Sequence, residues 1–230
     1  MTTSRPPLEA LDVIIPVLNG GPRLAETLKA LPPVHQVIVV DGGSTDGSEV
    51  LAAAHGASIL SSAPARGGQL ALGAEASTAP WLLFLHADTR LDNAAWAAVA
   101  AYVTRPDAGA RAAVFRLKLD DPAWQARVLE RAVRLRVALL SLPYGDQGLL
   151  IHRDLYAAIG GFATLPLMED VDLVRRLGRR RLCLLDGTAE TSAERWRRRG
   201  WIRQTARNLR CLALYFLGVP PTRIATLYGR

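Results

Sequence analysis

Cysteine is scarce in this chain, two in 230 residues. Neither Cys183 nor Cys211 lies in a CxxC or Cys/His spacing, so no disulfide framework is expected and both read as buried thiols of a reducing compartment. No run reaches the ~20 apolar residues that a membrane-spanning helix needs, and the longest near the end, residues 211–220, is too short. The start of the chain lacks a basic segment followed by an apolar core. No secretory signal is therefore expected, and the protein is expected to be cytoplasmic, with a peripheral place at the inner face of the membrane left open. Half of the residues are hydrophobic and the formal net charge is +7. That length and content suit one large α/β domain with a buried core. The positive charge comes mostly from arginine, dense over residues 175–210. Such an excess suits phosphate, on a nucleotide, a nucleic acid or a membrane surface, and by itself does not choose among them. A nucleic-acid partner is not expected.

Two stretches organise the rest. Val39-Val40-Asp41-Gly42-Gly43-Ser44-Thr45-Asp46-Gly47-Ser48 and Leu83-Phe84-Leu85-His86-Ala87-Asp88-Thr89 each begin as an apolar run and place an aspartate where it stops. The carboxyl ends of parallel strands line one crevice of an open α/β sheet, so Asp41 and Asp88 are expected to face one ligand. Strands are predicted over 11–17, 36–40, 57–61 and 81–85, with Pro16 marking an end or an irregularity of the first. Helices are predicted over 23–30, up to about 54, and over 69–77. The middle one is opened by a capping box, Asp46-Gly47-Ser48-Glu49. Asp92-Asn93 caps a further helix to about 103. Strand-turn-helix order argues for right-handed crossovers and a parallel sheet. Beyond it come a strand over 113–119, a helix over 123–140, a short strand over 149–152 and a helix ending at Gly160-Gly161. An acid-rich helix start near 168–173, a strand over 182–186 and a basic helical C-terminal third complete the chain. A single domain is expected, its nucleotide-binding half over about 11–104 and a second half over about 105–230.

The candidate site residues each have a plainer reading. Asp41 ends a strand where a carboxylate can accept from a base imide or a ribose, yet Asp before Gly-Gly is also ordinary turn chemistry. In Arg66-Gly67-Gly68-Gln69 the glycines let backbone amides approach a ligand and Arg66 brings charge. Asp88 suits a hard divalent cation bound to a diphosphate, which needs only one or two carboxylates, although a strand-end Asp is often structural. His86 suits Mn²⁺ better than Mg²⁺. Glu169-Asp170 offers a base on the acceptor side or simple acidic enrichment in a first helical turn. Arg195-Trp196-Arg197-Arg198-Arg199-Gly200-Trp201 reads as a grip for a diphosphate or an anionic surface, or as a solvated basic face.

In order and content these motifs resemble the family 2 glycosyltransferases, enzymes of the GT-A fold that use nucleotide-diphospho-sugars. Val13-Ile14-Ile15-Pro16-Val17-Leu18-Asn19 resembles the opening strand, and the segment from Val40 to Ser48 resembles the second-strand signature. Arg66-Gly67-Gly68-Gln69, Leu85-His86-Ala87-Asp88-Thr89, Gly145-Asp146-Gln147, Met168-Glu169-Asp170 and Tyr215-Phe216-Leu217-Gly218-Val219 look closer to one bacterial subgroup, transferases associated with radical-SAM and selenium-related genes. The resemblance implies a mostly parallel central sheet flanked by helices. It implies Asp41 at the nucleobase, Arg66 near the diphosphate, and Pro16, Asn19, Gly43, Gln69, His86 and Ala87 around the donor. It implies Asp88 on Mn²⁺ or Mg²⁺, Asp170 as the catalytic base with Glu169 beside it in the catalytic pair, and Gly145, Asp146, Gln147 and Trp196 on the acceptor side. The chain departs from the family pattern at Gly20, where an acid is common, at His86, where the first Asp of DxD usually stands, and at Ala71, where Asn is frequent. No histidine follows His152, so a C-terminal histidine ligand has no candidate.

The implied activity is transfer, with inversion, of a sugar from a UDP- or GDP-linked donor to an acceptor hydroxyl, of hexosyltransferase type, on an acceptor that is unidentified and open to being lipid-borne. Two rivals stand beside it. A nucleotidyltransferase shares the sheet but needs a Gly-rich basic loop after its first strand, of which Asn19-Gly20-Gly21-Pro22 has only part. A non-catalytic phosphate or membrane-surface binding protein would use the arginines alone.

Overall fold

Alternation along the first strand sets the layers. Every residue of β1 (Leu11–Val17) is buried. Leu11, Val13, Ile15 and Val17 pack with Leu24, Leu28, Trp96 and Val99 on one side, and Ile14 packs with Leu70, Ala74, Leu173 and Leu177 on the other. A strand buried on both faces belongs inside a sheet with helices above and below. The computed structural model describes residues 7–228. Its other strands are β2 (Gln36–Asp41), β3 (Ser58–Ser61), β4 (Trp81–Phe84), β5 (Thr89–Leu91), β6 (Ala112–Leu119), β7 (Leu149–His152) and β8 (Leu182–Thr191). They form one sheet in the order β3-β2-β1-β4-β7-β6-β8-β5. Pairing is parallel from β3 through β4 and again between β6 and β8. It is antiparallel at β4–β7, β6–β7 and β5–β8.

The helices are α1 (Gly21–Lys29), α2 (Ser48–Ala54), α3 (Arg66–Ala76), α4 (Asn93–Val103), α5 (Trp124–Leu140), α6 (Arg153–Ala158), α7 (Glu169–Leu177), α8 (Glu194–Arg199), α9 (Trp201–Phe216) and α10 (Pro221–Tyr228). Apolar residues of α1, α2 and α4 fill one face of the sheet and those of α3, α6 and α7 the other. Asp92 caps α4 as expected, its Oδ1 accepting from Ala95 N–H at 2.8 Å. This is the α/β, GT-A-type layering that the motifs imply.

Pro16 stands one residue before the end of β1: the pairing with β4 has already stopped at Ile14, while Pro16 and Val17 stay in register with Val40 and Asp41 on the β2 side. Several local expectations are corrected. The capping box does not form. Gly47 occupies the cap position of α2 in a left-handed conformation. Asp46 accepts from Ser48 N–H and from the Ser48 hydroxyl, at 3.1 and 2.6 Å, and Glu49 accepts from Ser61 rather than reaching back. Strand β8 does not stop at Asp186. A bulge shifts its pairing with β6 from Val114↔Leu184 to Arg116↔Thr188, with Gly187 at φ 94°, and the strand resumes to Thr191. That extension and the unforeseen β5 it pairs with bring Thr191 beside Asp88.

Candidate active site

The floor of the site is a pair of interlocked loops at the carboxyl ends of β1 and β2. Asp41 is buried, and its Oδ2 accepts from Gly43 and Ser44 N–H at 2.8 and 2.7 Å while Oδ1 accepts from the Ser44 hydroxyl. Ser44 Oγ in turn accepts from Asn19 N–H at 2.8 Å, and Asn19 Oδ1 accepts from Thr45 N–H at 2.9 Å. Asn19 holds a left-handed φ of 54° to do so, a conformation Asn tolerates better than most residues. Gln69 reaches from α3 and donates to the Val17 and Val40 carbonyls at 2.8 and 2.7 Å. The loop therefore consumes most of the polar capacity of Asp41, Asn19 and Gln69, while Gly43 faces open space.

The walls converge on Gly145. A Cβ built there would lie 2.6 Å from His86 Nε2, 2.8 Å from Arg66 Nη2 and 3.6 Å from Asp170 Oδ2. Three segments far apart in sequence thus meet within a side chain's breadth of one glycine, and nothing larger fits without moving them. Asp170, in the first turn of α7, accepts from Gly145 N–H at 2.8 Å through Oδ2 and from Val171 N–H at 2.7 Å through Oδ1. Glu169 is buried and ion-paired with Arg66, Nε to Oε1 3.1 Å. This pair ties the starts of α3 and α7 together. Met168, just before the two acids, sits at φ 66°, a strained conformation for a long side chain.

Asp88 follows β4 at the rim. Its Oδ1 lies 4.0 Å from His86 Nδ1 and 3.4 Å from Thr191 Oγ1. Burial raises its pKa, against the opposing positive charges of Arg195 and Arg66. Ala87 contributes its carbonyl to Thr27 Oγ1 at 3.0 Å. Asp146 stands nearby with a fully buried Oδ1 that has no hydrogen-bond partner among the described residues. Burial pushes its pKa up to about 6, the Arg136 charge pulling down and the Asp170 charge adding to the rise. Gln147 turns the other way and donates to the Phe115 carbonyl at 2.8 Å.

The opening is roofed by α8. Arg195, Arg198 and Arg199, at i, i+3 and i+4 on one helix face, line a cavity of about 370 Å³ with His86, Asp88 and Asp146. A second lobe of about 110 Å³ shares His86, Asp146, Arg195 and Trp196 and reaches Arg66, Glu169 and Asp170. Trp196 stacks on Trp201, centroids 6.4 Å apart. Sequence reasoning named Arg195 only within the run from Arg195 to Trp201 and did not single out Thr191, Tyr144, Asn208 or Tyr228. The last three wall the smaller lobe and carry no local signal, whereas Arg195 was hidden in a run of like residues.

Among the described residues no group of three or more His, Cys, Asp or Glu is placed to hold a metal ion. The lone carboxylate of Asp88, 37% exposed at the rim and with one long hydroxyl contact, fits a hard divalent cation that takes its remaining ligands from a diphosphate and water.

The family model described as glycosyl transferase family 2 matches residues 12–164. The chain belongs to glycosyl transferase family 2. Curated relatives include uncharacterised glycosyltransferases of Mycobacterium tuberculosis and Mycobacterium bovis, each 34% identical over 85 residues, 36% of this chain and 39% of theirs. The match thus spans well under half the length of these relatives. Among solved structures, S. aureus TarS is similar with a TM-score of 0.62 at 14% identity, over 80% of this chain and 36% of that one. Glucosyl-3-phosphoglycerate synthase from Mycobacterium tuberculosis, solved with Mn²⁺, UDP and glucosyl-3-phosphoglycerate, is similar with a TM-score of 0.54 at 22% identity, over 80% and 73%. At these identities the likeness is one of fold. In this family 2 chain the matched span contains Asp41, Arg66, His86, Asp88 and Asp146 and ends before Glu169, Asp170, Arg195 and Trp196, which join the site through tertiary packing.

Proposed function

We propose that this chain transfers a sugar, with inversion, from a UDP- or GDP-linked donor to an acceptor hydroxyl, assisted by a divalent cation. The observation that carries the reading is the convergence of Arg66, His86 and Asp170 on Gly145, beside Asp88 and under the arginines of α8. Positive charge for a departing diphosphate and a carboxylate for an attacking hydroxyl then share one cavity. The base end of the donor lies along the loop that Asp41 orders, near Pro16, Asn19 and Gly43. Arg66, held by Glu169, and Arg195 bind the diphosphate oxygens. Asp88, with His86 beside it, would hold the cation, which would supply added positive charge at the diphosphate. Asp170 removes the acceptor hydroxyl proton, and that oxygen attacks the anomeric carbon from the face opposite the diphosphate. The bond to the diphosphate oxygen breaks, and its electrons leave with the nucleotide. Glu169 acts through Arg66 and does not itself take a proton. Gly145, Asp146 and Trp196 border the acceptor, and Gln147 supports this border from the β6 side.

A second reading assigns the base to Asp146. Its unpartnered oxygen and a pKa near 6 favour proton transfer near neutral pH, whereas both Asp170 oxygens already accept from the backbone. Release of UDP or GDP from a panel of nucleotide sugars, with and without Mn²⁺ or Mg²⁺, tests the donor reading. Proton NMR of the anomeric centre in the product tests inversion. No release from any donor with any acceptor or water would refute the transfer.

A further inference from the structure

The inner face of α9 walls the smaller lobe of the site through Asn208 and Cys211, and Gln204, Cys211 and Leu212 are buried. The opposite face carries Ile202, Ala206, Leu209, Ala213, Phe216 and Leu217, spaced so that they share one stripe. All six are exposed, Ile202 to 86%, Leu209 to 55% and Leu217 to 79%. Arg203 and Arg210 edge the stripe and are exposed as well. From Arg195 to the end of the chain there is no Asp or Glu, while Arg195, Arg197, Arg198, Arg199, Arg203, Arg207, Arg210 and Arg223 precede the last residue.

We propose that this outer face of α9 is a docking surface for an anionic lipid bilayer, lying in the headgroup plane with the stripe inserted. Three observations select that occupant. The helix is 16 residues long and interrupted by arginines, and no helix among the described residues is long and apolar enough to cross a membrane, so α9 lies on a surface rather than through it. The basic edges are complementary to anionic headgroups. A second copy of the chain would set one acid-free face against another, and like charges would oppose it. Trp196 and Trp201 do not take part, being stacked on each other and packed with Leu117, Leu119 and Val133. Nor does Arg197, which is bound to Asp121 at 3.0 Å. Docking here places the membrane one helix diameter, about 10 Å, from the catalytic lobe, which suits an acceptor carried on a lipid. The surface stands whether or not the chain transfers sugar, and the sugar-release assay above fails or succeeds independently of it.

The test is co-sedimentation of the full chain with phosphatidylglycerol-containing vesicles and with pure phosphatidylcholine vesicles, at low and high salt. Binding is expected to the former only and to fall with salt. Arg203→Glu with Arg210→Glu should weaken it on the order of 10-fold or more, and Ile202→Asp with Leu209→Asp should abolish it. Thermal melting of each variant checks that these exposed changes leave the fold intact. The charge-matched control, Lys29→Glu with Arg105→Glu on α1 and beyond α4, should keep most of the binding. No binding at low salt overturns the proposal. Equal loss in the control reduces the effect to net charge and also overturns it. Self-association that Leu209→Asp abolishes, seen by analytical ultracentrifugation, assigns the stripe to a dimer instead.

Discussion

Adding one methyl group at Gly145 should cost activity far more than stability. The new Cβ would stand 2.6 Å from His86 Nε2 and 2.8 Å from Arg66 Nη2, against ordinary contact distances of about 3.5–4.0 Å. Each side chain must retreat by about 1 Å. Both atoms are the far ends of side chains, and Gly145 is not among the residues of positive φ, so the backbone accepts alanine. Overpacking of this kind costs about 1–2 kcal/mol, which for a chain of this size lowers the Tm by about 2–8 °C. A 1 Å displacement of groups that orient a reacting diphosphate costs on the order of 10² in rate. Nucleotide-sugar turnover in Gly145→Ala, measured beside its melting curve and its affinity for UDP and GDP, should therefore drop about a hundredfold in a folded protein. Wild-type turnover together with a normal melting curve would refute the convergence of His86 and Arg66 as the working geometry.

Asp88→Ala should remove the dependence of nucleotide-diphosphate affinity on Mn²⁺ or Mg²⁺ in calorimetry without lowering the Tm, since the side chain is 37% exposed and makes one long contact with Thr191; equal affinity with and without metal in the wild type would contradict this. Asp170→Asn should retain donor binding and lose transfer by on the order of 10²-fold, with Asp146→Asn affected less. The reverse order, with a wild-type rate that falls as pH drops through about 6, moves the base to Asp146. Asp12→Asn should lower stability by about 2–3 kcal/mol and leave nucleotide affinity unchanged. Burial alone would raise the Asp12 pKa, but hydrogen bonds from Ser77, Ala79 N–H, His35 and Thr78 N–H outweigh it and hold it below its ordinary value. A folded pKa below the unfolded one means that this stabilisation is present above about pH 4 and lost as pH falls further. The wild type should accordingly lose Tm more steeply in acid than the variant does, and parallel acid melting curves would count against the cluster.

The strands β1, β2, β4 and β7 and the helices around them were legible within a residue or a few, because burial on two faces demands continuous apolar runs and the turns between them use Gly, Pro, Asn and Asp. The aspartates at strand ends were legible for the same reason: a run that stops at a carboxylate marks the edge of the core. The bulge in β8 was not, since Gly187 reads as a stop locally and only the pairing with β6 carries the strand on to Thr191. The capping box failed because its two acids have other partners: Asp46 accepts from Ser48, and Glu49 accepts from Ser61 Oγ at 3.3 Å, 12 residues further on in β3.

The amino-acid sequence by itself determined the layer type, the placing of Asp41 at the end of β2 and of Asp88 in the turn beyond β4, and the family. Only the tertiary structure decided how the residues divide their work. It closed Asp41 and Gln69 into the loop clasp, paired Glu169 with Arg66, left one Asp146 oxygen without a donor among the described residues, turned Gln147 toward β6, and chose Arg195, Arg198 and Arg199 from a run of arginines to face the cavity. The reason is physical. A strand's burial is set by its neighbours in sequence, whereas a polar atom's partners and its dielectric surroundings are set by groups that the fold brings in from elsewhere in the chain.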